Sequence, residues 1–159
     1  MNQVWVGDIT YIGLRKQFAY LAVLMDLYSR RIIAWAIEEN ISEQLTIQTL
    51  RRAQSARQPP PGVIHHSDRG GQYASSTYRQ LLADAQMLQS MSRAGDCYDN
   101  AFMESCFGTM KTEMEMEIYE SLEHARREIE EYVNYCNAIR RHSSLDYRSP
   151  NSFELALSK

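Results

Sequence analysis

Val4-Trp5-Val6-Gly7-Asp8-Ile9-Thr10-Tyr11-Ile12 is a run of β-branched and aromatic residues that stops at Gly13, a turn former. Such a run predicts a buried strand, and one residue in it is out of character. Asp8 places a charge in the middle of a core strand, which is costly unless the carboxylate is paired or binds metal. Two further apolar runs follow at short spacing, Phe18–Met25 and Arg31–Ile37, joined through the turn-like Asp26-Leu27-Tyr28-Ser29-Arg30. Three strands with short connections predict an antiparallel meander.

Beyond the meander the period changes. Ser42 reads as a helix N-cap, with Leu45, Ile47, Leu50 and Ala53 at helical spacing, and Pro59-Pro60-Pro61-Gly62 ends the segment. Val63-Ile64-His65-His66 predicts a short strand left through Ser67-Asp68-Arg69-Gly70-Gly71. A helix over 75–85, a strand over 87–91, a polar loop over 92–99 and two long helices over 100–118 and 121–137 follow, with the Pro150 region as a short tail packed back on the core. Strands first, then helix alternating with short strand, predicts an α/β domain with a mixed sheet flanked by helices.

The chain has 159 residues, 44% apolar and 23% charged, which suits one soluble domain with a sizeable core. No apolar run approaches the roughly 20 residues of a membrane span, and no basic-then-apolar leader precedes Val4. We therefore expect no membrane partner and a cytoplasmic location. Cys97, Cys106 and Cys136 lack C-x-x-C spacing and read as free thiols. The formal net charge of −3 excludes a protein whose whole surface grips nucleic acid. Glutamates crowd 113–131, and Arg140, Arg141, His142 and Arg148 cluster after them.

Asp68 lies just past a strand end beside Gly70 and Gly71, where mixed sheets place ligands. Glu104 sits on the first of the long helices. Asn100, Glu104 and Lys111 fall within an arc of about 40°, at the margin of an apolar stripe of Met103, Phe107, Met110, Met114 and Ile118. Three carboxylates on rigid elements suit hard divalent cations and phosphoryl transfer. Taken singly, each has a plainer reading as a cap, a turn residue or a surface acid.

The segments Trp5–Ile12, Val63–Tyr73 and Ser92–Glu113, with the tail Tyr135–Pro150, closely resemble the integrase-like DDE transposases of bacterial insertion sequences, relatives of retroviral integrases. The 35 residues from 69 through 103 that separate Asp68 from Glu104 match the spacing of that group. The resemblance implies a ribonuclease H-like fold with a five-stranded mixed sheet, three strands antiparallel and then parallel ones. It implies a single catalytic core over 1–159, with Asp8, Asp68 and Glu104 as catalytic residues and ligands of Mg²⁺ or Mn²⁺, two ions when DNA is bound. DNA contacts carry over onto His66, Arg69, Tyr73, Asn100, Lys111, Arg140 and Arg141. Expected partners are transposon-end and target DNA, a second copy or larger assembly, and a separate end-binding helix-turn-helix region or protein, since this chain starts seven residues before Asp8.

Plainer readings stay open beside these. Lys111 could be a solvated helix lysine, and Arg140 and Arg141 could pair with nearby glutamates. His65 and His66 face opposite ways, so at most one serves a metal. Asp99 reads as an N-cap and Asp96 as a loop residue. Polynucleotidyl transfer, simple hydrolysis by a ribonuclease H-like nuclease, and a silent DNA-binding remnant are the three rival functions.

Overall fold

The computed structural model describes residues 1–92, 100–114 and 118–157. Strand β1 (Val4–Gly13) is the axis of a five-stranded sheet. It pairs antiparallel with β2 (Phe18–Asp26), from Trp5 opposite Asp26 to Gly13 opposite Phe18, and β2 pairs antiparallel with β3 (Ile32–Glu38). On its other edge β1 runs parallel to β4 (Ile64–Ser67), which runs parallel to β5 (Leu88–Met91). The spatial order is β3-β2-β1-β4-β5. Parallel neighbours need crossovers. α1 (Glu43–Arg57) lies between β3 and β4, and α2 (Gly71–Ala74) with α3 (Ser76–Asp84) lies between β4 and β5.

Alternation along the strands sends side chains to two cores. Val6, Ile12, Leu21, Val23 and Met25 pack against α4 (Ala101–Glu113), through Met103, Phe107 and Met110, and against α5 (Leu122–Ala138), through Ala125, Ile129 and Val133. Trp5, Leu24 and Ala34 face the opposite way, onto Ile47, Leu50 and Ala53 of α1 and Tyr78 and Leu82 of α3. Each of the larger of these side chains contributes about 1.5–3 kcal/mol by leaving water. The sheet is thus covered on both faces, and Asp8, on the Val6 and Ile12 side of β1, belongs to the α4–α5 face.

Four boundaries differ from the sequence expectation. β3 starts at Ile32, one residue later than expected, and the Arg31 side chain pairs with Glu154. The helix expected over 75–85 is α3, capped by Ser75, whose Oγ accepts the Tyr78 N–H at 3.1 Å, and the short helix α2 before it was not expected. α4 ends at Glu113, and Ile118 is 69% exposed rather than part of the buried stripe. The expected tail is a helix, α6 (Pro150–Leu157), for which Pro150 at the first helical position was the available signal. Ser42 does occupy the N-cap of α1, without a side-chain capping bond. Asp96 and Asp99, with Cys97, lie outside the described residues. Among those described, no helix is long and apolar enough to cross a membrane.

α6 is fastened by a buried acid. Glu154 accepts hydrogen bonds from Ser29 Oγ at 2.7 Å, from Arg31 at 2.7 Å, and from Arg57. Burial by itself raises the Glu154 carboxyl; the bonds from Arg57, Ser29 and Arg31 and the Arg57 charge outweigh it and hold the group at about 2, below its ordinary 4.5. A depressed carboxylate stabilises the fold fully above the unfolded value, and that contribution is lost as pH falls from about 4.5 through about 2. We predict that Glu154→Gln lowers stability by roughly 2–3 kcal/mol at pH 7, with a penalty that shrinks between pH 4.5 and 2. Urea midpoints measured across that range check it, and equal midpoints at pH 7 would show the cluster to be inert.

Candidate active site

The parallel register of β1 and β4 brings two acids together. Val4 pairs with Ile64 and so on to Gly7 with Ser67. One step further along the same register stand Asp8 and Asp68, and equivalent positions of parallel neighbours project to the same side of a sheet. Each carboxylate is held from its own backbone. Asp8 Oδ1 accepts the Ile9 N–H at 2.8 Å, and Asp68 Oδ1 accepts the Gly70 N–H at 3.0 Å. A Cβ at Gly70 would lie 3.0 Å from that Asp68 oxygen, so glycine is what permits the approach.

The third acid comes from α4. Asn100, the residue before the helix, donates from Nδ2 to Asp8 Oδ2 at 2.8 Å and is itself buried. Glu104 stands one turn later on the same arc, within the first turn of α4, and is exposed. Burial raises the Asp8 carboxyl most, and the negative charges of Asp68 and Glu104 raise it further. The Ile9 N–H and the Asn100 amide pull the other way, and the balance lies at about 6 against an ordinary 3.8. The three acids therefore share one electrostatic environment.

That environment fits a divalent cation. The donors are all oxygens, as hard cations prefer, and the repulsion that raises Asp8 is what a cation relieves. Asp8, Asp68 and Glu104 would be the ligands. The arrangement is open: among the described residues no three His, Cys, Asp or Glu side chains are gathered closely enough to enclose an ion.

The other expected residues divide. His66 lies on the Asp8 side of the sheet, opposite Val6, with Nδ1 2.9 Å from Ser90 Oγ and Nε2 3.3 Å from Ser92 Oγ. Arg69 Nε donates to the Ser92 carbonyl at 2.8 Å, which ties the loop after β4 to the end of β5. Lys111 Nζ sits 4.3 Å from the centre of the Tyr11 ring, a cation–π contact further along β1. Arg140 pairs with Glu113 at 2.8 Å, whereas Arg141 is exposed and has no ion-pair partner among the described residues.

Tyr73 is a correction. Its side chain is 2% exposed, packed with His65 and Tyr78 on the far side of the sheet, so it is a core residue rather than a DNA contact. His65 is likewise fully buried, with Nε2 2.8 Å from the Tyr78 hydroxyl. Burial lowers its imidazole to about 4, with the His66 charge acting the same way and a backbone hydrogen bond opposing, so it stays neutral. Sequence reasoning missed Gly7 as well. A Cβ there would meet Leu24 at 3.0 Å and His65 at 3.4 Å, and a glycine inside a strand is the signal of such close packing.

An acidic centre where the β1–β4 parallel pairing ends, on a β3-β2-β1-β4-β5 sheet covered on both faces, defines a ribonuclease H-like α/β core. The chain belongs to the integrase core domain family, which its residues 1–97 and 85–150 match in two overlapping segments. It is 41% identical over 155 residues to the transposase for insertion sequence element IS904 of Lactococcus lactis, covering 96% of this chain and 61% of that protein. It is 42% identical over 156 residues to the transposase InsF for insertion sequence IS3A of Escherichia coli, covering 96% of this chain and 54% of that protein. The chain thus spans little more than half the length of these relatives. Its fold matches the HTLV-2 integrase catalytic core domain, solved in complex with magnesium, with a TM-score of 0.76 at 16% identity over 96% of this chain and 95% of that one.

Asp8→Asn is expected to stabilise the metal-free protein at pH 7.5 by up to about 3 kcal/mol, because the wild-type carboxylate is ionised there against a raised pKa. The new amide is accommodated: Asn100 Oδ1 is buried and unpartnered among the described residues, so a flipped Asn100 can accept from it. The same variant should lose the rise in melting temperature that Mn²⁺ gives the wild type. An undiminished Mn²⁺ shift in Asp8→Asn would remove Asp8 from the ligand set.

Proposed function

We propose that this chain is the catalytic core of a bacterial insertion-sequence transposase, cutting DNA at the element's ends and joining the freed 3′ hydroxyl to a second phosphodiester. The Asn100–Asp8 hydrogen bond carries the reading, because it fixes the start of the Glu104 helix against the strand that bears the first acid. Asp8, Asp68 and Glu104 would hold Mg²⁺ or Mn²⁺, two ions once DNA is bound. Divalent ions in such a site supply charge neutralisation at phosphate and activation of the attacking oxygen.

The residues of the chain do the rest. Backbone N–H groups of Ile9 and Gly70 each occupy one lone-pair direction of Asp8 and Asp68, which orients the remaining oxygens. Lys111, about 10 Å along α4 from Glu104, contacts the DNA backbone on the line that leads away from the acids. His66 and Arg69 border the site from the β4 and β5 ends. Arg140 is held by Glu113 and must exchange partners to reach a phosphate, so Arg141 is the readier contact. Joining two ends requires two cores, supporting a homodimer or larger assembly. End recognition falls to a helix-turn-helix region or partner, and the reaction to the bacterial cytoplasm.

Glu104→Gln should reduce Mn²⁺-dependent nicking of a labelled duplex by about 10³-fold or more, while DNA affinity changes by less than about threefold. Denaturing gels separate the rival chemistries, since strand transfer gives products longer than the substrate and hydrolysis gives only shorter ones. Nicking at the wild-type rate in Glu104→Gln would refute the acidic-triad mechanism.

A further inference from the structure

On the flank of α4 turned away from Glu104, a cavity of about 510 Å³ opens between that helix, the end of α5 and the segment after it. Phe102 and Glu104 are two positions apart on a helix, hence about 160° apart around its axis, so the cavity and the acids use nearly opposite sides of the same helix. Arg30, Phe102, Arg140, Arg141, His142 and Tyr147 line it, and among the described residues no carboxylate does. In a chain of net charge −3 that is a strong local asymmetry.

Three features point to a ligand that is both anionic and flat. Arg30 lies 4.3 Å from the Phe102 ring centre and, like Arg141, has no ion-pair partner among the described residues. His142 Nε2 is shut off from solvent and has no hydrogen-bond partner among them. Burial first, then the charges of Arg140 and Arg30, lower the His142 imidazole, with Glu113 opposing, as expected where positive potential is unbalanced. Tyr147 leaves 71% of its surface exposed at the rim, and Phe102 46%. Together the two exposed rings and the arginines without ion-pair partners make one contiguous aromatic and cationic lining, the kind of apolar patch with a polar rim that marks a ligand site.

Resting on the DNA reading above, we propose that this cavity is a subsite for one unpaired nucleotide of a DNA strand. Its phosphate lies among Arg30, Arg141 and His142, and its base stacks against Tyr147 and the Arg30–Phe102 pair. Base stacking on aromatic and guanidinium planes, with cations following the backbone, is the chemistry of single-strand recognition. The subsite would accept a strand end splayed from the duplex while α4 presents Glu104 on its other side.

Fluorescence anisotropy of the full chain with a blunt duplex and with the same duplex carrying a single-stranded tail tests this. The wild type should prefer the tailed substrate by about tenfold, and Tyr147→Asn should abolish most of that preference. Asparagine tolerates the left-handed backbone at this position, where φ is 56°, so the ring is removed without backbone strain. Arg141→Gln should weaken the tailed complex and lower its salt dependence by about one ion. Glu104→Gln should retain the preference. No wild-type preference, or an unchanged preference in the Tyr147→Asn, Arg141→Gln double variant at an unchanged melting temperature, overturns the subsite. Metal-dependent nicking is scored separately. Nicking without tail preference defeats this proposal alone, and tail preference without nicking defeats the catalytic reading alone.

Discussion

A carboxylate placed in the middle strand of a five-stranded sheet sets the terms for everything packed around it. Asp8 pairs with Val23 on one side and follows directly after the last β1–β4 pair on the other, and it is half-buried. Two donors, the Ile9 N–H and the Asn100 amide, satisfy its oxygens, yet the carboxyl remains raised to about 6 because Asp68 and Glu104 add their charge to its burial. Strain of this kind persists only where the surroundings over-determine it. Here the surroundings are two apolar cores that fix β1 from both faces, and their combined burial far exceeds what one unfavourable carboxylate costs.

The geometry of the site follows from topology rather than from any local motif. Parallel pairing of β4 beside β1 converts a sequence distance of sixty residues into a single sheet spacing of about 4.8 Å. The crossover through α1 makes that pairing possible, and α1 is anchored by Ile47, Leu50 and Ala53 beneath Trp5. Gly7 matters for the same reason: without a Cβ it lets His65 and Leu24 close up directly behind the acid-bearing strand. On the other face, Met103, Phe107 and Met110 press α4 onto the sheet and leave its margin, with Asn100 and Glu104, directed toward the strand ends.

Much of this was legible in the residues. The β-branched run around Asp8, the two strands after it and the helical stripe of α1 lie where their periods put them, because local propensity and burial agree there. Asp68 was recognisable as a strand-end acid by its neighbouring glycines. The misreadings arose where tertiary packing decides. Tyr73 sits in a polar, glycine-rich stretch that reads as surface, and only the fold turns it inward onto His65 and Tyr78. α6 depends on a buried acid meeting arginines more than ninety positions away. Neither distance leaves a periodic trace in the sequence.

The net charge of −3 looks at first like an objection to the proposed DNA-binding role, and the distribution of that charge answers it. Nucleic acid responds to potential within about 8 Å at physiological salt, so what counts is the local surface and not the total. Along α4 the signs are sorted. Glu104 stands on one flank, on the side of the strands that carry Asp8 and Asp68, and its charge acts on Asp8. Arg30, Arg140, Arg141 and His142 border the other flank, with Arg140 paired to Glu113. Lys111 extends positive charge along β1 beyond the acids, its ammonium set over the Tyr11 ring. A helix that separates an anionic side from a cationic, aromatic one keeps the two surfaces from neutralising each other.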